Sequence, residues 1–154
     1  MKKIVLLMVV GCLAVGMMGQ KVHRTNVMFS AALGSIRLVE IDKYYSIQLE
    51  SGNQYHPYVT VMLGDSVNAA RLLEFIGDLY IEGEDVVDLE NASNNAMVRG
   101  PLGSFRVFDE TRVFTGTMHR THARSMWEAL TGEKYKKKKK EKRTPAYMKN
   151  YEKE

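Results

Sequence analysis

A strictly alternating run of side chains places the strongest constraint on the fold. From Tyr44 to Glu50, the residues Tyr45, Ile47 and Leu49 alternate with more polar residues. A period of two is that of a β-strand with one buried face. The turn residues Ser51-Gly52-Asn53 follow, and the alternation resumes from Tyr58 to Leu63. These two segments therefore predict an antiparallel hairpin.

Further short strands are predicted on both sides of this hairpin. Their patterns cover residues 24–34, 36–42, 86–90, 97–98, 105–107 and 113–115. At Leu38-Val39 the alternation breaks, which predicts a bulge or a turn.

Two helices are predicted from apolar residues at helical spacing. The first, at 66–80, begins at Asp65 or Ser66, either of which can cap backbone N–H groups. Its predicted apolar stripe comprises Val67, Ala70, Leu73 (with Leu72), Ile76 and Leu79. Gly77 weakens this helix by about 1 kcal/mol relative to alanine. The second helix, at 121–130, stops at Gly132.

The element order is strands, helix, strands, helix, and single strands do not alternate regularly with helices. It predicts an α+β fold, a mainly antiparallel sheet with two helices packed on one face. The residues of the two halves do not match well enough to indicate a repeat.

The first residues have the layout of a secretory signal peptide. Lys2 and Lys3 precede the apolar run Ile4–Val15, which is shorter than the roughly 20 residues that span a bilayer. Cleavage after Gly16 or after Gly19 fits the small residues there. A small residue followed by Gln20 resembles the signal-peptide ends of many exported proteins of the Bacteroidetes. We take residues 1–19 as the signal peptide, 20–132 as a single α+β domain and 133–154 as a basic, disordered tail.

Cys12 is the only cysteine. The segment Val9-Val10-Gly11-Cys12 resembles a lipobox, which would make the chain a lipoprotein anchored at Cys12. If cleavage falls after Cys12, the mature chain has no cysteine and no disulfide framework, so its core must hold it together. We expect a protein of the periplasm or the extracellular space.

The formal charge of +4 is unevenly distributed. Residues 20–132 hold ten Lys/Arg and fourteen Asp/Glu, a net charge of −4, whereas residues 133–154 hold ten Lys/Arg and four Glu, a net charge of +6. The high pI therefore belongs to the leader and the tail and says nothing about the folded part.

The lysine-rich run in the tail is the strongest candidate binding feature. We assign anionic-surface binding to its basic residues, which are Lys134, Lys136, Lys137, Lys138, Lys139, Lys140, Lys142 and Arg143. Export disfavours nucleic acid as the partner and favours an anionic envelope polymer, an anionic lipid or an acidic protein. The alternative is a solubilising tail without a specific partner.

A tyrosine-rich loop is the candidate ligand site of the body. Tyr55, His56 and Tyr58 lie close together after the first strand of the hairpin. Exposed aromatic residues at the edge of a sheet can bind a sugar or a partner chain, and the alternative is ordinary packing.

Other residue patterns do not predict catalysis or a cofactor. His119 and His122 have helical metal-pair spacing, but no third ligand is evident and Arg120 lies between them. The acidic run at 82–90 lacks the EF-hand spacing. Gly-x-Ser-x-Gly and phosphate-loop motifs are absent, so we assign no catalytic residue, metal ligand or cofactor.

The sequence thus favours a non-enzymatic binding or interaction module of the envelope. A small secreted hydrolase or carbohydrate-binding protein with a pocket in the sheet is one alternative. A structural or assembly subunit of the envelope is the other.

Overall fold

The computed structural model describes residues 24–81, 85–90 and 93–136. The first sheet has four strands in chain order, each antiparallel to the next: β1 (Thr25–Ala31), β2 (Ile36–Ile41), β3 (Tyr44–Glu50) and β4 (Tyr58–Gly64). Helix α1 (Ser66–Asp78) follows. The second sheet repeats this arrangement with β5 (Val86–Asp88), β6 (Ala96–Arg99), β7 (Phe105–Phe108) and β8 (Thr115–Met118), followed by helix α2 (Arg120–Thr131). The predicted α+β class is confirmed, with the antiparallel strands divided between two sheets.

The hairpin predicted from the alternating pattern is confirmed. Strand β3 has the predicted bounds and pairs antiparallel with β4, with Ile47 opposite Val61. Ile47 and Leu49 are fully buried, as their positions in the alternation require. The predicted signal peptide at residues 1–19 lies outside the described residues.

The irregularity predicted at Leu38-Val39 lies on the neighbouring strand. Val39 pairs with Val27 and Leu38 with Phe29, so the extra residue of the bulge is Met28 in β1. Strand β2 itself runs without interruption, and both Leu38 and Val39 are buried.

Helix α1 begins where the sequence predicts and ends two residues earlier. The Asp65 carboxylate accepts hydrogen bonds from the N–H groups of Val67 and Asn68 at 3.1 and 2.9 Å, which caps the first turn. The buried residues are Ala69, Leu72, Leu73, Ile76 and Gly77. The predicted stripe was therefore misplaced at its start, because Val67 is 77% exposed and Ala69 takes its place in the core.

Helix α2 spans one residue more at each end than predicted and stops at Gly132, which adopts the left-handed conformation of a C-terminal cap (φ 74°). Within the described ranges, neither helix is long and apolar enough to cross a membrane. The two helices pack against each other, and their buried faces share one apolar core with both sheets.

The sheets approach most closely where β8 crosses β3. A Cβ atom on Gly116 would lie 2.3 Å from Cβ of Leu49, so only glycine permits this contact. The strand predicted at 113–115 was wrong in position, since β8 starts at Thr115 and Val113-Phe114 belong to the preceding loop.

The two halves share a Leu-Gly-Ser turn. Leu33 and Leu102 adopt nearly identical left-handed backbone angles (φ 56°, ψ 28° and φ 57°, ψ 27°), and both side chains are fully exposed. The first turn joins β1 to β2, whereas the second joins β6 to β7. The turns thus stand at different places in the two sheets, which agrees with the absence of a sequence repeat.

Candidate functional site

The tail is attached to the folded body at a notch in helix α1. Gly77 is buried, and a Cβ atom there would lie 2.9 Å from the hydroxyl oxygen of Tyr135 and 3.0 Å from Cγ of Arg124. The missing side chain therefore makes room for both residues. Glycine lowers the helix propensity at this position, as the sequence indicated, and its missing side chain leaves space for the start of the tail between the helices.

Tyr135 is held by contacts to both helices. Its hydroxyl donates to the carbonyl oxygen of Glu74 at 3.1 Å, and its N–H donates to the Glu128 carboxylate at 2.9 Å. Its ring meets Trp127 edge-on at 5.4 Å and faces the Arg124 guanidinium at 5.4 Å. We call Gly77, Arg124, Trp127 and Tyr135 the tail anchor.

Arg124 links the anchor to the end of helix α1. Its Nε donates to the carbonyl oxygen of Gly77 at 2.8 Å, and its guanidinium lies 3.9 Å from the Asp78 carboxylate. Partial burial, followed by the neighbouring Asp78, raises the pKa of Tyr135 to about 12. The Tyr135 hydroxyl is therefore neutral throughout the physiological range.

The lysines begin at the anchor. Lys134 and Lys136 flank Tyr135, and both are exposed. The other residues predicted to bind an anionic surface, Lys137, Lys138, Lys139, Lys140, Lys142 and Arg143, lie outside the described residues.

The structure separates the three residues of the predicted ligand loop. Tyr55 is 80% exposed. The exposed His56 stacks on Phe114, with ring centroids 4.4 Å apart and a tilt of 32°. Tyr58 is half-buried, with the Arg37 guanidinium 5.1 Å above its ring. Phe114 comes from the loop before β8, and no local sequence signal pointed to it.

Side-chain hydrogen bonds brace the loop that carries Tyr55. The Asn53 side-chain oxygen accepts the N–H groups of Tyr55 at 2.8 Å and His56 at 3.1 Å. The Ser51 hydroxyl donates to the carbonyl oxygen of His56, and the Ser51 N–H donates to that of Pro57 at 2.9 Å. Residues 51–57 therefore form a defined turn, and the side-chain oxygen of Asn53 accepts the backbone hydrogen bonds that are typical of an Asx turn.

A carboxylate braces the adjacent loop in the same way. Asp109 accepts hydrogen bonds from the N–H groups of Val113 and Phe114, both at 3.0 Å, and from the hydroxyl of Thr111 at 2.6 Å. These hydrogen bonds outweigh the effect of burial and lower the pKa of Asp109, so the carboxylate stays charged. We call residues 51–57 and 109–114 together the loop pair, because the His56–Phe114 stack joins them.

The two histidines cap helix α2. Nδ1 of His119 accepts the N–H of Thr121 at 3.2 Å, and Nδ1 of His122 accepts the N–H of His119 at 3.1 Å. The rings thus form a capping box, in which each Nδ1 must be unprotonated. Burial and, to a smaller extent, the nearby His119 lower the pKa of His122.

The acidic run does not gather into a cation site among the described residues. Asp85, Asp88 and Glu90 are exposed, and Asp88 pairs with Arg112 at 2.7 Å. Glu82 and Glu84 lie outside the described ranges. In the part of the chain that the structure describes, no three His, Cys, Asp or Glu side chains converge as metal ligands.

An open groove of about 480 Å³ lies between β4 and α1. Its lining includes Met62, Leu63, Asn68, Arg71, Leu72 and Glu90. Glu90 supplies a carboxylate to the described part of this lining.

Three features thus stand out on the described surface: the tail anchor with its lysines, the loop pair and the groove. Comparison with known proteins assigns none of them, because no protein-family model, no curated protein and no solved structure matches the chain.

Proposed function

We propose that the chain is an exported, non-enzymatic binding module whose lysine-rich tail attaches it to a phosphate-bearing anionic surface of the cell envelope. The observation that carries this proposal is the tail anchor. Tyr135 is fixed between the helices, and the run Lys136–Lys140 starts at the next residue. The positive charge thus begins at a defined point on the body.

The charge distribution supports the tail as the attaching segment. The segment 134–143 holds eight basic residues and one acidic residue, whereas the body from 20 to 132 has a net charge of −4. A basic residue near an anionic membrane contributes about 1 kcal/mol, so eight contribute at most about 8 kcal/mol before the cost of ordering the tail. Salt weakens this attraction, since the Debye length is only about 10 Å at 0.1 M.

Fixing the root of the tail keeps the body close to the surface. A fully extended chain spans at most about 3.5 Å per residue, so the segment 136–143 reaches roughly 28 Å from Tyr135. Without the anchor, the residues from Gly132 onward would lengthen this tether. The anchor therefore shortens the chain between the body and the bound lysines, which keeps the body nearer to the surface.

Vesicle sedimentation tests the proposal. The full chain should sediment with phosphatidylcholine vesicles that contain phosphatidylglycerol and stay in solution with pure phosphatidylcholine, and high sodium chloride should release it. Replacing Lys138, Lys139 and Lys140 with glutamine should weaken sedimentation strongly. The matched control replaces three exposed arginines of the body, Arg71, Arg99 and Arg106, with glutamine and has the same change in charge.

Soluble polyphosphate, added as a competitor, distinguishes a general phosphate preference from a lipid requirement. Competition indicates that phosphate charge suffices, and its absence indicates that the lipid surface is needed. Equal loss of binding in both triple variants would show that net charge alone matters. Full retention in the tail variant would refute the proposal.

A further inference from the structure

We propose that the loop pair is a second binding site, which takes a neutral saccharide on the exposed ring of Tyr55. This site is independent of the tail.

The loop pair braces the backbone that carries its exposed apolar side chains. Tyr55 and Val113 are 80% and 69% exposed, yet the backbone at both is hydrogen-bonded to a side chain of its own loop, Asn53 or Asp109. The His56–Phe114 stack then fixes one loop against the other. A tyrosine has only two main side-chain torsions to fix on binding, so on this braced backbone it loses little conformational entropy.

The chemistry of the two loops suits a neutral ligand better than an anion. The loop pair contains Asp109, Glu110 and a single basic residue, Arg112, which is paired with Asp88. Arg37, which covers the neighbouring Tyr58, donates its Nε–H to the carbonyl oxygen of Gly34 at 2.8 Å. Both arginine side chains at these loops therefore already interact with other groups of the protein.

A sugar ring satisfies both kinds of group that the loops present. The C–H face of a pyranose packs against an aromatic ring, whose face carries partial negative charge. Its hydroxyl groups donate to side-chain oxygen atoms, which the exposed Gln54 and Glu110 supply in the same two loops. An anionic membrane would instead be repelled by the carboxylates of Asp109 and Glu110.

The size of the surface favours a small ligand over a protein. An aromatic side chain buries about 150–250 Å² when it is fully covered, whereas a stable protein interface needs roughly 800 Å² from each partner. Tyr55 and Val113 are the large exposed apolar side chains of the loop pair, and two side chains supply far less area than such an interface needs.

The test uses saturation-transfer NMR with four neutral hexasaccharides, made of glucose, xylose, mannose and N-acetylglucosamine. The protein carries the Lys138, Lys139 and Lys140 to glutamine changes, so that the tail does not contribute and a failure here is separate from a failure of the tail proposal. At least one of these saccharides should bind. Tyr55→Ala should weaken that binding at least about tenfold, because it removes a burial of about 1.5 kcal/mol or more.

Two variants sharpen the result. Tyr55→Phe should retain binding, since the ring makes the contact. Tyr44→Ala, which removes another exposed tyrosine (61%) at the opposite end of β3, should leave it unchanged. Binding to none of the four saccharides, or binding that Tyr55→Ala does not weaken, would overturn the proposal. Protein binding to pure phosphatidylcholine vesicles that Tyr55→Ala abolishes, without saccharide binding, would assign the loops to a membrane and overturn it as well.

Discussion

The side-chain amide of Asn95 connects the two sheets by donating to the backbone of Thr60. Its Nδ2 lies 3.3 Å from the carbonyl oxygen of Thr60 in β4 and 2.8 Å from that of Phe108 in β7. Asn95 itself is fully buried, whereas Thr60 and Phe108 are half-buried. One amide group thus fixes the distance between a strand of each sheet.

Replacing Asn95 with leucine should destabilise the protein by about 1–3 kcal/mol. The substitution keeps the branched shape of the side chain but removes the donor, so the carbonyl groups of the half-buried Thr60 and Phe108 lose this partner. Urea unfolding measures the effect. The matched control is Asn26→Leu, at an exposed position of β1, where we expect a change within about 0.5 kcal/mol. Equal stability of the two variants would mean that the amide does not join the sheets.

Gly116→Ala should destabilise the contact between the sheets. The new Cβ would meet Cβ of Leu49 at 2.3 Å, and neither atom can move without shifting a strand. Overpacking of this kind costs about 1–3 kcal/mol or more. The control is Thr117→Ala at the next, exposed position of β8. A melting temperature for Gly116→Ala as high as that of the control would contradict the close packing of β8 on β3.

Local signals made part of this fold predictable. The alternation from Tyr44 to Glu50, the cap at Asp65 and the stop at Gly132 each depend on neighbouring residues, and the structure confirms all three. The start of the α1 stripe was wrong, because Val67 and Ala69 are both apolar and only the packing partner decides which one is buried.

The parts that define the candidate sites depend on distant contacts. Arg124 meets Gly77 across 47 residues, and Tyr135 meets Glu74 across 61. His56 was a candidate from its tyrosine neighbours, but its partner Phe114 was placed in a predicted strand, because an apolar pair in a loop resembles a short strand. No periodicity encodes such pairs, so the anchor and the loop pair could be found only in the structure.

The capping box of α2 should make the protein less stable in acid. Nδ1 of His122 accepts the N–H of His119, and protonation of the ring removes this acceptor. Its pKa in the folded state lies below the ordinary value of 6.5, so the unfolded chain binds the proton more readily. The contribution of neutral His122 to the stability of the fold is therefore complete above about pH 6.5, and it is lost as the pH falls through the lowered pKa of the folded state.

His122→Gln tests this origin. Glutamine is the usual acceptor at this position of a capping box and does not titrate, so the variant should lose less stability between neutral and mildly acidic pH. Unfolding by urea at several pH values measures it. His56→Gln, which changes an exposed histidine outside any helix cap, should keep the wild-type pH profile. The same pH profile in His122→Gln and wild type would exclude the cap as the cause.

The tail anchor should be visible in the titration of the tyrosines. The pKa of Tyr135 is raised from 10.0 to about 12, so the contribution of its neutral hydroxyl to stability is present below about pH 10 and is lost as the pH rises toward 12. Gly77→Ala places a methyl group 2.9 Å from this hydroxyl, and the flexible tyrosine is the part that can move away. We expect this variant to release Tyr135 and to return its pKa toward 10.

Ultraviolet absorbance of tyrosinate follows the change. In the wild-type protein Tyr135 should ionise later than the ordinary range, and both Gly77→Ala and Tyr135→Phe should lose this late step. Burial and the nearby Glu40 also raise the pKa of Tyr45, so the comparison between wild type and variants isolates the step of Tyr135. Ala70→Gly, at a half-buried position of the same helix, lowers helix propensity without touching Tyr135 and should keep it. A late step that persists in Tyr135→Phe would belong to another tyrosine. A late step that persists in Gly77→Ala but not in Tyr135→Phe would mean that the missing side chain at position 77 is not what allows Tyr135 to bind between the helices.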